Sequence, residues 1–164
     1  MLARVDADDV IAALDAPTED RRDLVARLEA EAPVEALLGA LARGDRPLTR
    51  QLAADMLGRR AGAEAGPALL QALHDPDAGV RASAADALGK VMLTHGPEAA
   101  PGAGPALLAA YDAEIDPGVR HMLAAALGAA GHREAIPLLR VAASSEDRGL
   151  ALAARWALDR LESS

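Results

Sequence analysis

The sequence predicts an all-α protein built from about four to five antiparallel pairs of helices. Composition is the first observation, since hydrophobic residues make up 51% of the 164 residues but aromatic residues only 1%. The core must therefore consist of Ala, Leu, Val, Ile and Met side chains. Alanine has the highest helix propensity and lets helices approach one another closely. A repeated segment and the regular spacing of its copies are the second and third observations.

The repeated segment is clearest at residues 75–89, which read DPDAGVRASAADALG. An acidic turn that contains proline leads into an alanine-rich helix, and the repeated segment ends in Ala-Leu-Gly. The segment returns, in whole or in part, at 116–128, 45–58 and 146–158. Gly58 and Gly89 are 31 residues apart, whereas Gly89 and Gly128 are 39 apart. Such periods are typical of helical solenoids, in which a helix pair cannot bury its apolar face alone and stacking supplies the core.

Two helices are predicted before the clear repeats, over residues 6–15 and 18–31. Asp6 or Asp8 can cap the first, because a carboxylate at the N-cap accepts hydrogen bonds from the free amides of the first turn. Residues 6–31 are therefore either an N-terminal cap or a degenerate first repeat.

Four repeats follow within a single domain of residues 1–164, each with a first helix (helix A) and a second helix (helix B). They are predicted at 33–61, 64–94, 105–130 and 133–162. In the first repeat, Pro33 begins helix A and Gly44 ends it, which is the usual placement of these residues. The Gly- and Pro-rich residues 95–104 predict a longer loop. That loop accounts for the longer of the two glycine spacings.

Charge and composition exclude several classes of function. The net charge of −8 would repel a phosphate backbone, and no run of Lys or Arg offers a locally basic surface, so we expect no nucleic-acid partner. The absence of cysteine excludes disulfides, thiolate nucleophiles and cysteine zinc sites. The N-terminus lacks the apolar core of a secretory signal, and no apolar stretch is long enough to span a membrane. We therefore expect a soluble, cytoplasmic protein.

The repeats resemble HEAT repeats, specifically the short bacterial kind also found in phycobilin lyase subunits. The matching residues are D-P-D-x-x-V-R-x-x-A-A-x-A-L-G at 75–89, and D-P-x-V-R followed by A-A-L-G at 116–128. The resemblance covers residues 33–162, and 6–31 more weakly. It implies a right-handed α-solenoid, a HEAT/armadillo-like superhelix whose B helices line the concave side, where solenoids usually bind. Since such repeats serve mainly as scaffolds, it implies far more about the fold than about function.

An arginine recurs after three of the acidic turns, at Arg50, Arg81 and Arg120. In HEAT repeats such an arginine commonly pairs with an acid of a neighbouring repeat, and the pairs form a ladder that sets the stacking angle. Contact with a ligand is the alternative role. The resemblance implies a structural ladder that contains Arg50, Asp75, Asp77, Arg81, Asp116 and Arg120.

Superposition of the repeats separates a buried side of each B helix from an opposite, more polar side. The opposite side is the predicted concave binding face, formed by Gln51, Asp55, Arg59, Asp86, Lys90, His121, Leu152, Trp156 and Arg160. Trp156 breaks the pattern, because it superposes on Asp55 and Asp86. It is either an aromatic anchor for a partner, since Trp is enriched at interfaces, or a residue that covers the end of the last repeat.

Signals for catalysis, metals and cofactors are weak. The four histidines form neither an i, i+4 pair nor an HExxH motif, so we expect no metal site, and no residue pattern calls for a cofactor. Asp55 and Asp86 lie one repeat apart, about 8–10 Å for stacked helices, which is conceivable for a catalytic pair of carboxylates. Because no nucleophile or phosphate-binding loop accompanies them, they are better explained as charges on a solvated face. The sequence thus leaves an enzyme uncertain and favours a protein without catalytic activity.

Three functional hypotheses remain. The first is a non-catalytic scaffold that binds a protein or peptide on the concave face. The second is an accessory subunit or chaperone of a chromophore-lyase-like enzyme, or, less favoured, a HEAT-like DNA glycosylase, which would need a basic face and aromatic residues. The third is self-association through the last repeat, giving a monomer or weak homodimer, with Leu150, Leu152 and Trp156 at the contact.

Overall fold

The computed structural model describes residues 5–60 and 62–163, apart from the side chains of residues 18–21. The N-terminal pair consists of α1 (Ala7–Asp15) and α2 (Thr18–Glu31). The A helices of the four following pairs are α3 (Val34–Arg43), α5 (Gly66–Ala72), α7 (Ala103–Ala113) and α9 (Ile136–Ala142). Their B helices are α4 (Pro47–Arg60), α6 (Ala78–His95), α8 (Pro117–Ala129) and α10 (Arg148–Glu162). The predicted all-α solenoid is confirmed.

Aspartate caps begin most of the B helices. The side chains of Asp77, Asp116 and Asp147 accept hydrogen bonds from the amide three residues later, at 3.1, 3.0 and 2.8 Å. Each cap satisfies one of the amides that the first helical turn leaves without a partner. Asp6 does the same for α1 in a capping box with Asp9.

Residues 95–104 form less of a loop than the sequence predicts. Helix α6 continues through His95, a 3₁₀ turn covers Pro97–Ala99, and α7 begins at Ala103. Gly96 and Gly102 make the two changes of direction with positive φ angles of 88° and 79°. The segment is structured because Ala99 and the residue after it are buried against the core.

The B helices stack directly on one another, and we call these contacts the first (α4/α6), second (α6/α8) and third (α8/α10) junctions. The glycine that follows the aligned leucine of each repeat, Gly58, Gly89 or Gly128, lies at each contact. A Cβ atom on Gly58 would lie 2.6 Å from the Cα atom of Ala87, and one on Gly128 would lie 2.7 Å from that of Ala157. At these two positions only glycine permits the observed approach.

The stack has an inner and an outer row of helices. The B helices contact one another extensively, whereas successive A helices barely touch. Because the closer row lies on the inside of a curved stack, the B helices form the concave side. The aligned positions Met56, Ala87, Ala126 and Ala157 are all buried between the helices, so one continuous core runs through the repeats.

The outward face of α10 differs from the faces through which the other B helices contact their successors. When the B helices are aligned, α10 has Ala151 where the others have the ladder arginine. It has Arg155 where they have a small contact residue, and Asp159 where they have the contact glycine. Arg155 and Asp159 are exposed. A further B helix could not approach this face as closely as the helices approach one another within the stack.

The N-terminal pair packs differently from the four repeats. Helix α1 lies mainly against the A helix α3, with Ala7 close to Gly39, and α2 lies mainly against α1. Arg43 forms an ion pair with Asp8 at 2.9 Å. Arg60 donates to two carbonyl groups at the end of α2 at 3.0 and 2.8 Å. Among the helices described, none is long and apolar enough to cross a membrane.

Candidate binding face and arginine ladder

The ladder begins with Arg50 of α4, which forms a two-pronged pair with Asp75 of the next repeat. Its Nε and Nη2 atoms donate to the two carboxylate oxygens at 2.7 and 2.9 Å. Its Nη1 atom donates to the carbonyl groups of Gly44 and Asp45 in the preceding turn. The hydrogen bond from Arg50 lowers the pKa of Asp75, and the same bond raises the pKa of Arg50. We call this pair the first rung.

The second rung repeats this geometry between Arg81 of α6 and Glu114. The Nε and Nη2 atoms donate to the carboxylate at 2.7 and 3.1 Å, and Nη1 donates to the carbonyl groups of Asp75 and Pro76. Only 6% of the Glu114 side chain is exposed. The hydrogen bond from Arg81 lowers the pKa of Glu114 from 4.5 to about 2, although burial acts in the opposite direction. Such charge-assisted, two-pronged pairs fix orientation as well as contributing energy.

The predicted ladder roles of Asp77 and Asp116 are wrong. Both side chains cap their own helices and form no ion pair with a neighbouring arginine, although the charge of Asp77 helps to raise the pKa of Arg50 and that of Asp116 helps to raise the pKa of Arg81. The ladder acid lies two residues earlier, where Asp75 and Glu114 also accept from the amides of Asp77 and Asp116, each at 2.9 Å. Glu114 was missed because the Asp-Pro motif draws attention to Asp116. The signal that could have identified Glu114 is its position two residues before the cap, which matches that of Asp75.

The predicted pairing of Arg120 with an acid is also wrong. Ser145 occupies the aligned acidic position, and its Oγ accepts from the amide of the cap residue Asp147 at 3.1 Å. The Arg120 guanidinium lies over the Tyr111 ring, 4.6 Å from its centroid. The Nε atom of Arg120 is buried without a hydrogen-bond acceptor. The third rung is therefore incomplete because a hydroxyl group stands where the other rungs have a carboxylate.

Two residues predicted for the open concave face lie instead between B helices. The side chain of Gln51 approaches Gly79, and that of His121 approaches Gly149, each at the first turn of the next B helix. Both are half-buried. The first and third junctions thus stack in the same register, although only the first has a complete rung.

The concave face over α4 and α6 is charged. Burial raises the pKa of Asp55, whose side chain is hydrogen-bonded to Ser83 across the first junction. Lys90 forms an ion pair with Asp86 one turn earlier in α6. Arg59 is directed towards α2, where it forms an ion pair with Glu29. This half of the face therefore compensates most of its own charge.

The concave face along the second junction, extended by Trp156 of α10, is mainly apolar. A shallow depression of about 70 Å³ has a floor of small residues from α6 and α8, and Leu93, Met122 and Trp156 are among the residues that surround it. Leu93 is 46% exposed and Trp156 is 43% exposed. One edge of the Trp156 ring packs over Gly128, and the Arg160 guanidinium lies 5.9 Å from the ring centroid. Leu152, one turn before Trp156, is 62% exposed.

Other surfaces offer less chemistry. A wider groove of about 620 Å³ lies between α3 and α5, but its Arg50 and Asp75 already bind each other. No group of three or more His, Asp or Glu residues that could hold a metal occurs among residues 5–60 and 62–163. The concave face, with its half-exposed Trp156, is therefore the best candidate for binding.

Comparison with known proteins identifies the family. The family model for HEAT repeats matches residues 34–114. The chain is a HEAT-repeat protein. It is similar to a chain in the structure of the complex of CpcE and CpcF of phycocyanin lyase from Nostoc sp. PCC7120, with 27% sequence identity and a TM-score of 0.73.

That similarity covers 98% of this HEAT-repeat protein and 66% of the solved chain. This protein thus spans slightly less than two thirds of the length of its structural relative. No curated protein matches it. The predicted resemblance to the HEAT repeats of phycobilin lyases is confirmed.

Proposed function

We propose that this HEAT-repeat protein is a non-catalytic scaffold that binds a polypeptide on its concave face. The observation that carries the proposal is the apolar half of that face, where Leu93 and Trp156 stand half-exposed around a floor of small residues. Trp156 takes the aligned position of Asp55 and Asp86. An aromatic side chain that protrudes beside an apolar depression is typical of an interface anchor.

The depression fits one aliphatic side chain of a partner. Its volume of about 70 Å³ suits methyl groups and is too small for a tetrapyrrole ring system. Asp86 and Lys90 lie at its edge and can contact polar groups of the same partner. The two roles predicted for Trp156 do not exclude each other, because one edge of the ring packs on α8 while the remainder is exposed.

Affinity capture from a native extract, followed by mass spectrometry, tests this proposal when wild type and variants are compared. The Trp156→Ala and Leu93→Ala variants should each capture at least tenfold less of the polypeptide than wild type does. Both should keep the helical circular dichroism spectrum of wild type. Ile115→Ala is the matched control, because Ile115 is 91% exposed but lies in the turn between α7 and α8. Equal retention by all four proteins would contradict a binding role for the concave face.

A second candidate is an accessory subunit of a lyase-like enzyme. The likeness to a chain from the CpcE and CpcF complex, over 98% of this chain, favours it. An accessory subunit should co-purify with one defined subunit in a fixed ratio, and a chromophore chaperone should also change the absorption spectrum of added phycocyanobilin. We expect no spectral change, because the depression is shallow and aromatic-poor. A shifted spectrum that Trp156→Ala abolishes would favour the second candidate over the first.

A DNA glycosylase and a self-associating protein both have less support. A glycosylase would need a basic concave face, whereas Lys90 and Arg59 are engaged by Asp86 and Glu29. Self-association through α10 would use Leu152 and Trp156, which are exposed, but not Leu150, which is buried. Light scattering on a sizing column distinguishes a monomer from a dimer.

A further inference from the structure

Three aligned residues precede the capping aspartates of α6, α8 and α10. They are Asp75, Glu114 and Ser145, each two residues before its cap. All three use a side-chain oxygen to accept a hydrogen bond from the amide of the capping residue, at 2.9, 2.9 and 3.1 Å. Ser145 therefore has the local geometry of a ladder acid without its negative charge.

Arg120 occupies the aligned position of Arg50 and Arg81, and its Nε atom lacks an acceptor. In both complete rungs the Nε atom donates to a carboxylate at 2.7 Å. In Arg120 that same atom is buried and has no acceptor. The Tyr111 ring stabilises the cation from one face, but the N–H groups lie in the guanidinium plane and need acceptors at its edge.

The third junction keeps the register that brings the rung residues together. His121 follows Arg120 and approaches Gly149, just as Gln51 follows Arg50 and approaches Gly79. The contact of Gly128 with Ala157 likewise matches that of Gly58 with Ala87. What the third junction lacks is an oxyanion at the position of Ser145.

We propose that Ser145 is a phosphorylation site and that its phosphate completes the third rung with Arg120. The terminal oxygens of phosphoserine are four bonds from the Cα atom, as are the carboxylate oxygens of Glu114, so the reach is matched. Phosphate oxygens bind the arginine fork in the same way as a carboxylate. The phosphate comes from ATP, and a protein kinase transfers it. The Ser145 Oγ forms a bond to the γ-phosphorus, the bond to the bridging oxygen of ADP breaks, and a base takes the hydroxyl proton.

The surrounding charges are compatible with this modification. Asp147 lies two residues after Ser145, but Asp77 and Asp116 bear the same relation to the acids of the complete rungs. The phosphate would also lie at the N-terminus of α10, where the helix dipole favours negative charge. Glu146 is exposed, and solvent screens its repulsion.

Site-specific incorporation of phosphoserine tests the assignment. Phosphoserine at 145 should raise the Tm by about 2–4 °C, and Ser145→Glu should raise it in the same direction. Phosphoserine at 144, the exposed neighbouring serine, should give no increase. Arg120→Gln should abolish the increase from phosphoserine at 145. An increase that persists without Arg120, or that occurs equally at 144, would overturn the proposal, as would an increase from glutamate but not from phosphoserine.

A second measurement asks whether the site is used. Phosphopeptide mass spectrometry of the protein purified from the cells that make it should find phosphate on Ser145 in preference to Ser144. Unmodified Ser145 under growth, starvation and stationary conditions would overturn its assignment as a phosphorylation site.

Discussion

The second and third junctions of the stack have helix contacts of similar extent, but they differ in how closely the contact glycine approaches the next helix and in their polar contacts. Arg81 binds Glu114 across the second junction, whereas at the third junction Ser145 takes the aligned position of the acid and the Nε atom of Arg120 has no acceptor. Yet α8 and α10 pack as extensively as α6 and α8. Contacts between small residues are therefore sufficient to set the register of this stack. The arginine pairs add to a geometry that the backbone already determines.

Removal of one arginine from each junction gives the largest expected contrast. Arg81→Gln should lower the free energy of unfolding by about 3 kcal/mol, because it leaves the nearly buried Glu114 carboxylate without its partner. Arg120→Gln should cost less than about 1 kcal/mol, since it removes only the contact with Tyr111. Urea unfolding measures both. Equal losses would show that the two junctions do not differ energetically.

Acid should weaken the second junction specifically. The pKa of Glu114 in the folded state, about 2, is below its ordinary value of 4.5. Its contribution is therefore complete above pH 4.5 and is lost as the pH falls from 4.5 towards 2. The full loss is at most about 3 kcal/mol. Urea unfolding of wild type and Glu114→Gln between pH 7 and pH 2.5 isolates this contribution, and parallel pH profiles would contradict it.

Glycine substitutions test how closely the helix backbones pack at the second and third junctions. Gly128→Ala should cost about 1–3 kcal/mol, because a Cβ atom there would lie 2.7 Å from the Cα atom of Ala157. Gly89→Ala is the matched control, since its Cβ would lie 3.6 Å from the Cα atom of Ala126, an ordinary contact. That variant should instead gain up to about 1 kcal/mol from helix propensity. Thermal unfolding of the two variants should therefore shift in opposite directions.

The smallest effect is expected at Asp55, on the concave side of the first junction. Burial raises its pKa, so its charged form is disfavoured in the folded state. Its contribution to stability therefore increases as the pH falls through the raised pKa, opposite to that of Glu114. Asp55→Asn should change the free energy of unfolding at pH 7 by less than about 1 kcal/mol. A large loss would show that its charge is needed for folding.

The fold was largely predictable from the sequence because its signals are local. The Asp-Pro turns, the Ala-Leu-Gly triplets and their spacing predict the helices and their order. The same signals misplaced the ladder, since Asp116 is prominent in the motif but caps its own helix, while Glu114 pairs with Arg81 across the junction. The pairing depends on contacts between repeats, which no single repeat reveals.

The candidate binding face differs in character from the face that the sequence predicts. Superposition of the repeats identified Trp156 as an exception, but it did not show that Gln51 and His121 lie between helices. It also missed Leu93, which comes near the end of α6, beyond the positions that were aligned. The division of the face into charged and apolar halves depends on which charged side chains form ion pairs. Arg59, for example, forms its ion pair with a residue of α2.

A pair of double-mutant cycles tests most directly whether the junctions are set by backbone packing, with arginine pairs as separable additions. One cycle combines Arg81→Gln with Glu114→Gln, and the other combines Arg120→Gln with Ser145→Ala. We predict a coupling free energy of about 2 kcal/mol in the first cycle and a value near zero in the second, with every variant retaining the helical spectrum of wild type. Equal coupling in the two cycles, or loss of the folded stack in Arg81→Gln, would contradict this account.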